Sequence, residues 1–135
     1  MKYQVYKSKP LEDIWSTQLV GSQYKSVLEQ PNDKIIYHYS QHCHGCKKFG
    51  GKYEILAKNK HIFDNLEFYR IDNDKNKAEG VRNFNSTPVF AYYKQNNPNP
   101  FLYRMPIFTS DLFSSFLTIT GNVKIIDSQL FNKTI

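Results

Sequence analysis

Two cysteines are all that this chain of 135 residues contains, and they stand three positions apart, at Cys43 and Cys46. So low a count excludes a disulfide-stapled scaffold; without a secretory leader, such a pair serves catalysis or metal binding more often than stability. The opening Met1-Lys2-Tyr3-Gln4-Val5-Tyr6-Lys7 has no apolar segment of the kind a secretory signal needs, which points to an intracellular setting, cytoplasmic or organellar. Long apolar runs are missing too, and nothing approaches the ~20 residues of a membrane span. Arginine is scarce, at three of 18 basic residues, and the longest basic run is Lys47-Lys48. The formal charge of +6 is thus spread over scattered lysines. That suits a solvated surface and argues against nucleic acid as a partner, since arginine is the better reader of bases and phosphates.

Aromatic residues are plentiful. Ten Tyr and ten Phe bring the aromatic share to 16%, enough bulky surface for one core in a chain of this length. The pattern divides it into an N-terminal extension (residues 1–21), a main domain (22–121) and a tail (122–135). Lys2 to Lys7 alternates and reads as a strand; Leu11, Ile14, Trp15 and Leu19 fall at helical spacing, with Gly21-Ser22 as a break. Tyr24, Val27 and Leu28 form a second helical face before the turn at Gln30 to Asp33. Lys34 to Ser40, with the unbroken centre Ile35-Ile36-Tyr37, reads as a strand buried on both faces.

After the cysteines, Phe49, Tyr53 and Leu56 predict a helix to about Lys60, with an interruption at Gly50-Gly51 because each glycine costs roughly 1 kcal/mol against alanine. Leu66 to Ile71 is a strand closed by Asp72-Asn73-Asp74, and Lys75 to Val81 a short helix. A loop at Asn83 to Ser86 leads through Thr87-Pro88 into the strand Val89 to Tyr93, and a turn at Asn96 to Pro100 into the strand Phe101 to Arg104. Thr109 or Ser110 caps a last helix with Leu112, Phe113, Phe116 and Leu117 inward, ending at Gly121. The polar tail beyond it, with an apolar knot at Val123, Ile125 and Ile126, is not expected to fold onto the domain unaided.

The chemistry concentrates at the strand-to-helix junction Ser40-Gln41-His42-Cys43-His44-Gly45-Cys46. Cys43 stands beside the unpaired N–H groups and positive dipole end of the coming helix, which favour its thiolate. Cys46, one turn on, is in reach to attack a mixed disulfide made by the first. Together with Thr87-Pro88 and the order of elements, this junction resembles the thioredoxin fold over roughly Ser22 to Gly121. The resemblance implies an α/β domain with a central mixed sheet flanked by helices on both faces. It also implies a protein thiol–disulfide oxidoreductase with no cofactor beyond a redox-active Cys43–Cys46 disulfide. Cys43 and Cys46 would be catalytic, with His44 tuning the thiolate, and His42, Thr87 and a cis Pro88 would meet the substrate. Its partners would be protein thiols or disulfides and a reductase or oxidant. In thioredoxin-like proteins an acid precedes the first cysteine by six residues and a tryptophan adjoins it; here those places hold Tyr37 and His42.

Two alternatives follow. Zinc would draw on Cys43, Cys46 and histidines 38, 42, 44 and 61, but no second ligand pair stands at finger-like spacing, and no metal is expected. His38, on the opposite strand face from Tyr37 and Tyr39, reads as a hydrogen-bonded core histidine. Haem attachment needs a histidine directly after Cys46, where Lys47 stands. The other alternative is a redox-silent adaptor or structural subunit of a larger complex, favoured by the missing acid and the two extensions.

Overall fold

The computed structural model describes residues 14–43, 45–76, 84, 87–104, 109–120, 124–125, 129 and 131. At its centre is β2 (Asp33–Tyr39), whose residues alternate between two apolar clusters, Ile35 and Tyr37 joining one and Ile36 the other. That period of two is what a strand buried on both faces produces. Strand β2 pairs in parallel with β3 (Leu66–Asp72) on one side and antiparallel with β4 (Val89–Tyr93) on the other. The short edges are β1 (Thr17–Leu19), parallel to β3, and β5 (Phe101–Tyr103), antiparallel to β4. The result is a mixed five-stranded sheet in the order β1-β3-β2-β4-β5.

Helices cover both faces. Phe49, Tyr53 and Leu56 of α2 (Cys46–Lys58) meet Phe113, Phe116 and Leu117 of α3 (Ser110–Thr120) over Ile35, Tyr37, Phe68, Phe90 and Tyr92. On the opposite face Tyr24 and Val27 of α1 (Gly21–Leu28) close over Leu19, Ile36, Ile71, Ala91 and Tyr93. Each fully buried aromatic or branched side chain stabilises this arrangement by roughly 1.5–3 kcal/mol. The Thr109 hydroxyl accepts the N–H of Leu112 at 3.2 Å, the cap expected at the start of α3. No helix among the described residues is long and apolar enough to cross a membrane.

Several expectations are corrected. Leu19 lies in strand β1, opposite Ile71, and Trp15 is 55% exposed, so their helical spacing with Ile14 was coincidental. What holds this stretch is Glu54 of α2, whose carboxylate accepts the N–H groups of Trp15 and Ser16 at 2.6 and 2.8 Å and the Ser16 hydroxyl at 2.6 Å. Gly21 does not break a helix but opens α1. Helix α2 runs unbroken through Gly50 and Gly51, because packing outweighs their low propensity. The tail does fold back in part: Ile125 bridges to Phe63, Lys124 O accepts the N–H of Asp64 at 3.1 Å, and Phe131 is buried edge-on to Phe63. The strand at Lys2 to Lys7, most of the helix at Lys75 to Val81, Asn83, Asn85, Ser86, Gly121, Val123 and Ile126 lie outside the described residues.

His38 is the buried, hydrogen-bonded core histidine its strand position predicts, with Tyr24 Oη 3.1 Å from Nε2 and Asn73 Oδ1 3.0 Å from Nδ1. Burial lowers its pKa from 6.5 to about 4, the Asn73 bond opposing only in part. In the unfolded chain the imidazole takes a proton near pH 6.5, while in the folded protein it stays neutral until about pH 4. The unfolded state therefore binds more protons in that window, and stability falls as pH drops through it. Denaturant titrations should show the wild type losing about 2 kcal/mol more than His38→Gln between pH 7.5 and 5; equal losses in the two proteins would contradict a neutral buried His38.

Candidate functional site

The site forms where β2 ends and α2 begins. After Tyr39 the chain turns: the N–H of Cys43 reaches Ser40 O at 3.3 Å, and that of Cys46 reaches Cys43 O at 3.3 Å. The Ser40 hydroxyl accepts the N–H of His42 at 3.1 Å and donates to the carboxylate of Asp74, fastening the turn to the end of β3. Helix α2 then opens at Cys46 behind Gly45, which has no side chain to cap it, and no acidic residue lies in its first turn. The helix dipole and the exposed Lys47 and Lys48 make this end of the helix positive.

Cys43 and Cys46 are bonded to each other, with their Cα atoms 5.3 Å apart. They differ in access, Cys43 being half-buried and Cys46 buried. An incoming thiol or disulfide therefore meets Cys43 first. Across from them the Thr87–Pro88 bond is cis, and a Cβ built on Gly45 would lie 3.7 Å from Pro88 Cδ. A methyl group on Gly45 would thus be in van der Waals contact with Pro88, which places Pro88 beside the segment between the cysteines, with half-buried Thr87 next to it in the chain. His42 is exposed on the turn next to Cys43. The structure accordingly brings Cys43, Cys46 and Pro88 together with Thr87 and His42 flanking them, while His44 lies outside the described residues. No group of three or more metal-ligating side chains occurs among the described residues.

Tyr37 reaches the same end from below. Its hydroxyl donates to the backbone oxygen of Cys46 at 2.7 Å, inside the core. Burial, reinforced by Tyr39 and Glu54 and opposed by Arg70, pushes its phenol well above the ordinary range. At neutral pH it is a hydrogen-bond donor that keeps its proton. The approach depends on Gly50: a Cβ there would fall 3.1 Å from Tyr37 Oη. Sequence reading reached Tyr37 as the place of a missing acid but not its bond to Cys46, and it missed Ser40 and Asp74 as a clasp. The available signal was the parallel pairing of two strands that both end in short polar runs, Ser40-Gln41 and Asn73-Asp74.

The thioredoxin family model matches residues 16–110, a span that takes in all five strands, both cysteines, Thr87 and Pro88. Among solved structures, the thioredoxin of Malassezia sympodialis, Mala s 13, is similar with a TM-score of 0.57 and 22% identity, covering 76% of this chain and 90% of that one. A zinc-bound form of human ERp44 is similar with a TM-score of 0.56 and 18% identity over 66% of this chain. The match spans only 27% of the ERp44 chain. Likeness at these identities is one of fold. No curated protein sequence matches the chain.

The contact between Tyr37 and Gly50 makes their substitutions interdependent. In the wild type, Gly50→Ala gains about 1 kcal/mol of helix propensity but pushes against the Tyr37 hydroxyl, and is expected to be neutral or destabilising. Tyr37→Phe leaves the Cys46 carbonyl without this donor and should cost about 1–2 kcal/mol. Combined with Tyr37→Phe, Gly50→Ala should instead stabilise by about 1 kcal/mol. A denaturation double-mutant cycle checks this, and strict additivity would refute it.

Proposed function

The chain belongs to the thioredoxin family, and from that premise we propose that it is a protein thiol–disulfide oxidoreductase working through the Cys43–Cys46 pair. The observation that carries the reading is the pair itself: two bonded cysteines at an uncapped helix start, the first accessible and the second buried, with Pro88 against the glycine between them. In the reducing direction the Cys43 thiolate attacks one sulfur of a substrate disulfide. That S–S bond breaks, one substrate thiolate leaves, and a Cys43–substrate mixed disulfide remains. The Cys46 thiolate then attacks the Cys43 sulfur and expels the second substrate thiolate. The substrate gains two electrons, the pair becomes a disulfide, and a dithiol donor or reductase restores it. Run backwards, the same steps oxidise a substrate dithiol. Thr87 offers its backbone N–H and C=O to an extended substrate chain, and His42 borders the approach to Cys43. His44, when protonated, adds positive charge near Cys43, favouring its thiolate and a more oxidising disulfide.

Tyr37 favours a second reading, a redox-silent adaptor, because a phenol that holds its proton does not help ionise Cys46. The two readings separate in one experiment. Equilibration in defined glutathione buffers, read by mass spectrometry, should give a reversible two-electron couple between roughly −120 and −270 mV. Cys46→Ser, mixed with a disulfide-bonded protein, should accumulate a covalent adduct on Cys43. No couple and no adduct would leave the adaptor reading. A potential at or below roughly −270 mV would remove the role given to His44.

The pH dependence of resolution follows from Tyr37 as well. With no phenolate to take the proton, the attack of Cys46 tracks the ionisation of its own thiol. Release of substrate from the Cys43 mixed disulfide should therefore rise with pH, approaching about tenfold per unit while Cys46 is mostly protonated. Stopped-flow measurement of that release checks it; a release rate indifferent to pH would overturn it.

A further inference from the structure

On the far side of the sheet from the disulfide runs a buried polar chain that thiol chemistry does not use. Tyr93 Oη lies 2.6 Å from Tyr24 Oη, which lies 3.1 Å from His38 Nε2; His38 Nδ1 lies 3.0 Å from Asn73 Oδ1, and Asn73 Nδ2 lies 3.3 Å from Phe84 O. All four side chains before Phe84 are buried. In so dry a place each polar atom needs a partner, and the direction of every bond is constrained. The carbonyl of Phe84 can only accept, so the Asn73 amide nitrogen donates to it and Asn73 Oδ1 is left to accept. His38 Nδ1 must then carry its proton and donate to Oδ1. A neutral imidazole has one donor, so Nε2 accepts from the Tyr24 hydroxyl, and Tyr24 in turn accepts from Tyr93. One end of the chain determines the other.

What lies at the Phe84 end matters. Phe84 is three residues before Thr87, and its ring meets the His38 ring edge-on with centroids 4.6 Å apart. The guanidinium of Arg104 lies 5.2 Å from the centre of the same ring. Beyond Pro88, Val89 is paired with His38 itself in the β2–β4 ladder. His38 therefore reaches the chain on both sides of Thr87 and Pro88, at Phe84 through its ring and Asn73, and at Val89 through the backbone ladder. Asn73 is secured independently, its N–H donating to Tyr39 O at 2.8 Å.

We infer that His38 is a positioning residue: a neutral imidazole protonated on Nδ1 that, through Asn73 and Phe84, sets the backbone of Thr87 and Pro88 against Cys43 and Cys46. Its purpose rests on the oxidoreductase reading; its geometry does not. The role concerns how a peptide substrate is held, not the chemistry of the sulfurs. Removing it should change binding of a chain that needs the Thr87 backbone and leave the thiol–disulfide equilibrium alone.

The test combines two measurements on the full chain. Nitrogen-15 NMR of the oxidised wild type should show His38 neutral with the proton on Nδ1, and Asn73→Ala should shift the Thr87 amide and speed its hydrogen exchange. An Nε2-protonated or charged ring at pH 7, or a Thr87 amide unmoved in Asn73→Ala, overturns the inference whether or not the protein turns over substrate. With a disulfide-bonded protein substrate, Asn73→Ala should raise KM by about threefold to tenfold, the effect of one lost hydrogen bond, with kcat retained. Reaction with dithiothreitol and the equilibrium with glutathione should stay within twofold. An equal loss toward dithiothreitol would mark Asn73 and His38 as merely structural and overturn the role. A wild type with no activity would instead count against the oxidoreductase reading, with the NMR result still deciding the geometry.

Discussion

The parallel ladder between β2 and β3 is the constraint on which the candidate site depends. Because the two strands run the same way, with Tyr39 opposite Asp72, their C-terminal ends emerge side by side. Everything that leaves those ends can then meet: Ser40 with Asp74, the Tyr39 carbonyl with the N–H of Asn73, and His38 with the Asn73 side chain. Strand β4 enters antiparallel on the other flank of β2, so its first residue and the proline before it arrive at the same end. The neighbourhood of Cys43, Cys46 and Pro88 is thus a product of strand direction. It is the place where open α/β sheets generally hold their ligands.

The core is unusual in how much of its apolar mass comes with a hydroxyl attached. Tyr53 donates towards the carbonyls of Tyr69 at 2.6 Å and Ile35 at 3.1 Å, Tyr92 to Asp33, and Tyr37 to the Cys46 carbonyl. Each ring fills space as a phenylalanine would and also pins a particular backbone or side-chain oxygen. A core of plain hydrocarbons tolerates small shifts between layers; one tied by phenols does not, because a shift leaves a buried donor unpaired. Low mean hydropathy and a full core are therefore compatible here.

Much of this was legible beforehand. The unbroken apolar centre Ile35-Ile36-Tyr37 of a strand buried on both faces, the apolar stripe of α3 with its Thr109 cap, and the opposite-face position of His38 follow from local pattern and capping chemistry, and each appears in the structure. What local pattern did not carry was β1, whose three residues are too few to alternate and which exists because β3 offers it an edge. Nor did it carry the role of Glu54, an ordinary helix residue until Trp15 and Ser16 are brought against it. At the site, the cysteines, Thr87 and Pro88 were visible as motifs. The Ser40–Asp74 clasp and the Asn73 link were not, since each joins residues more than 30 positions apart or depends on which strands are neighbours.

The fit of Tyr37 against Gly50 also constrains the route by which such a sequence can arise. With alanine at position 50, the added Cβ would come within 3.1 Å of the Tyr37 hydroxyl, so the ring or the helix must yield by a few tenths of an ångström. A glycine acquired first lets the tyrosine follow without that adjustment, whereas the reverse order passes through a tighter intermediate. The two positions are therefore expected to change together, and relatives that share Tyr37 should tend to keep the glycine beneath it.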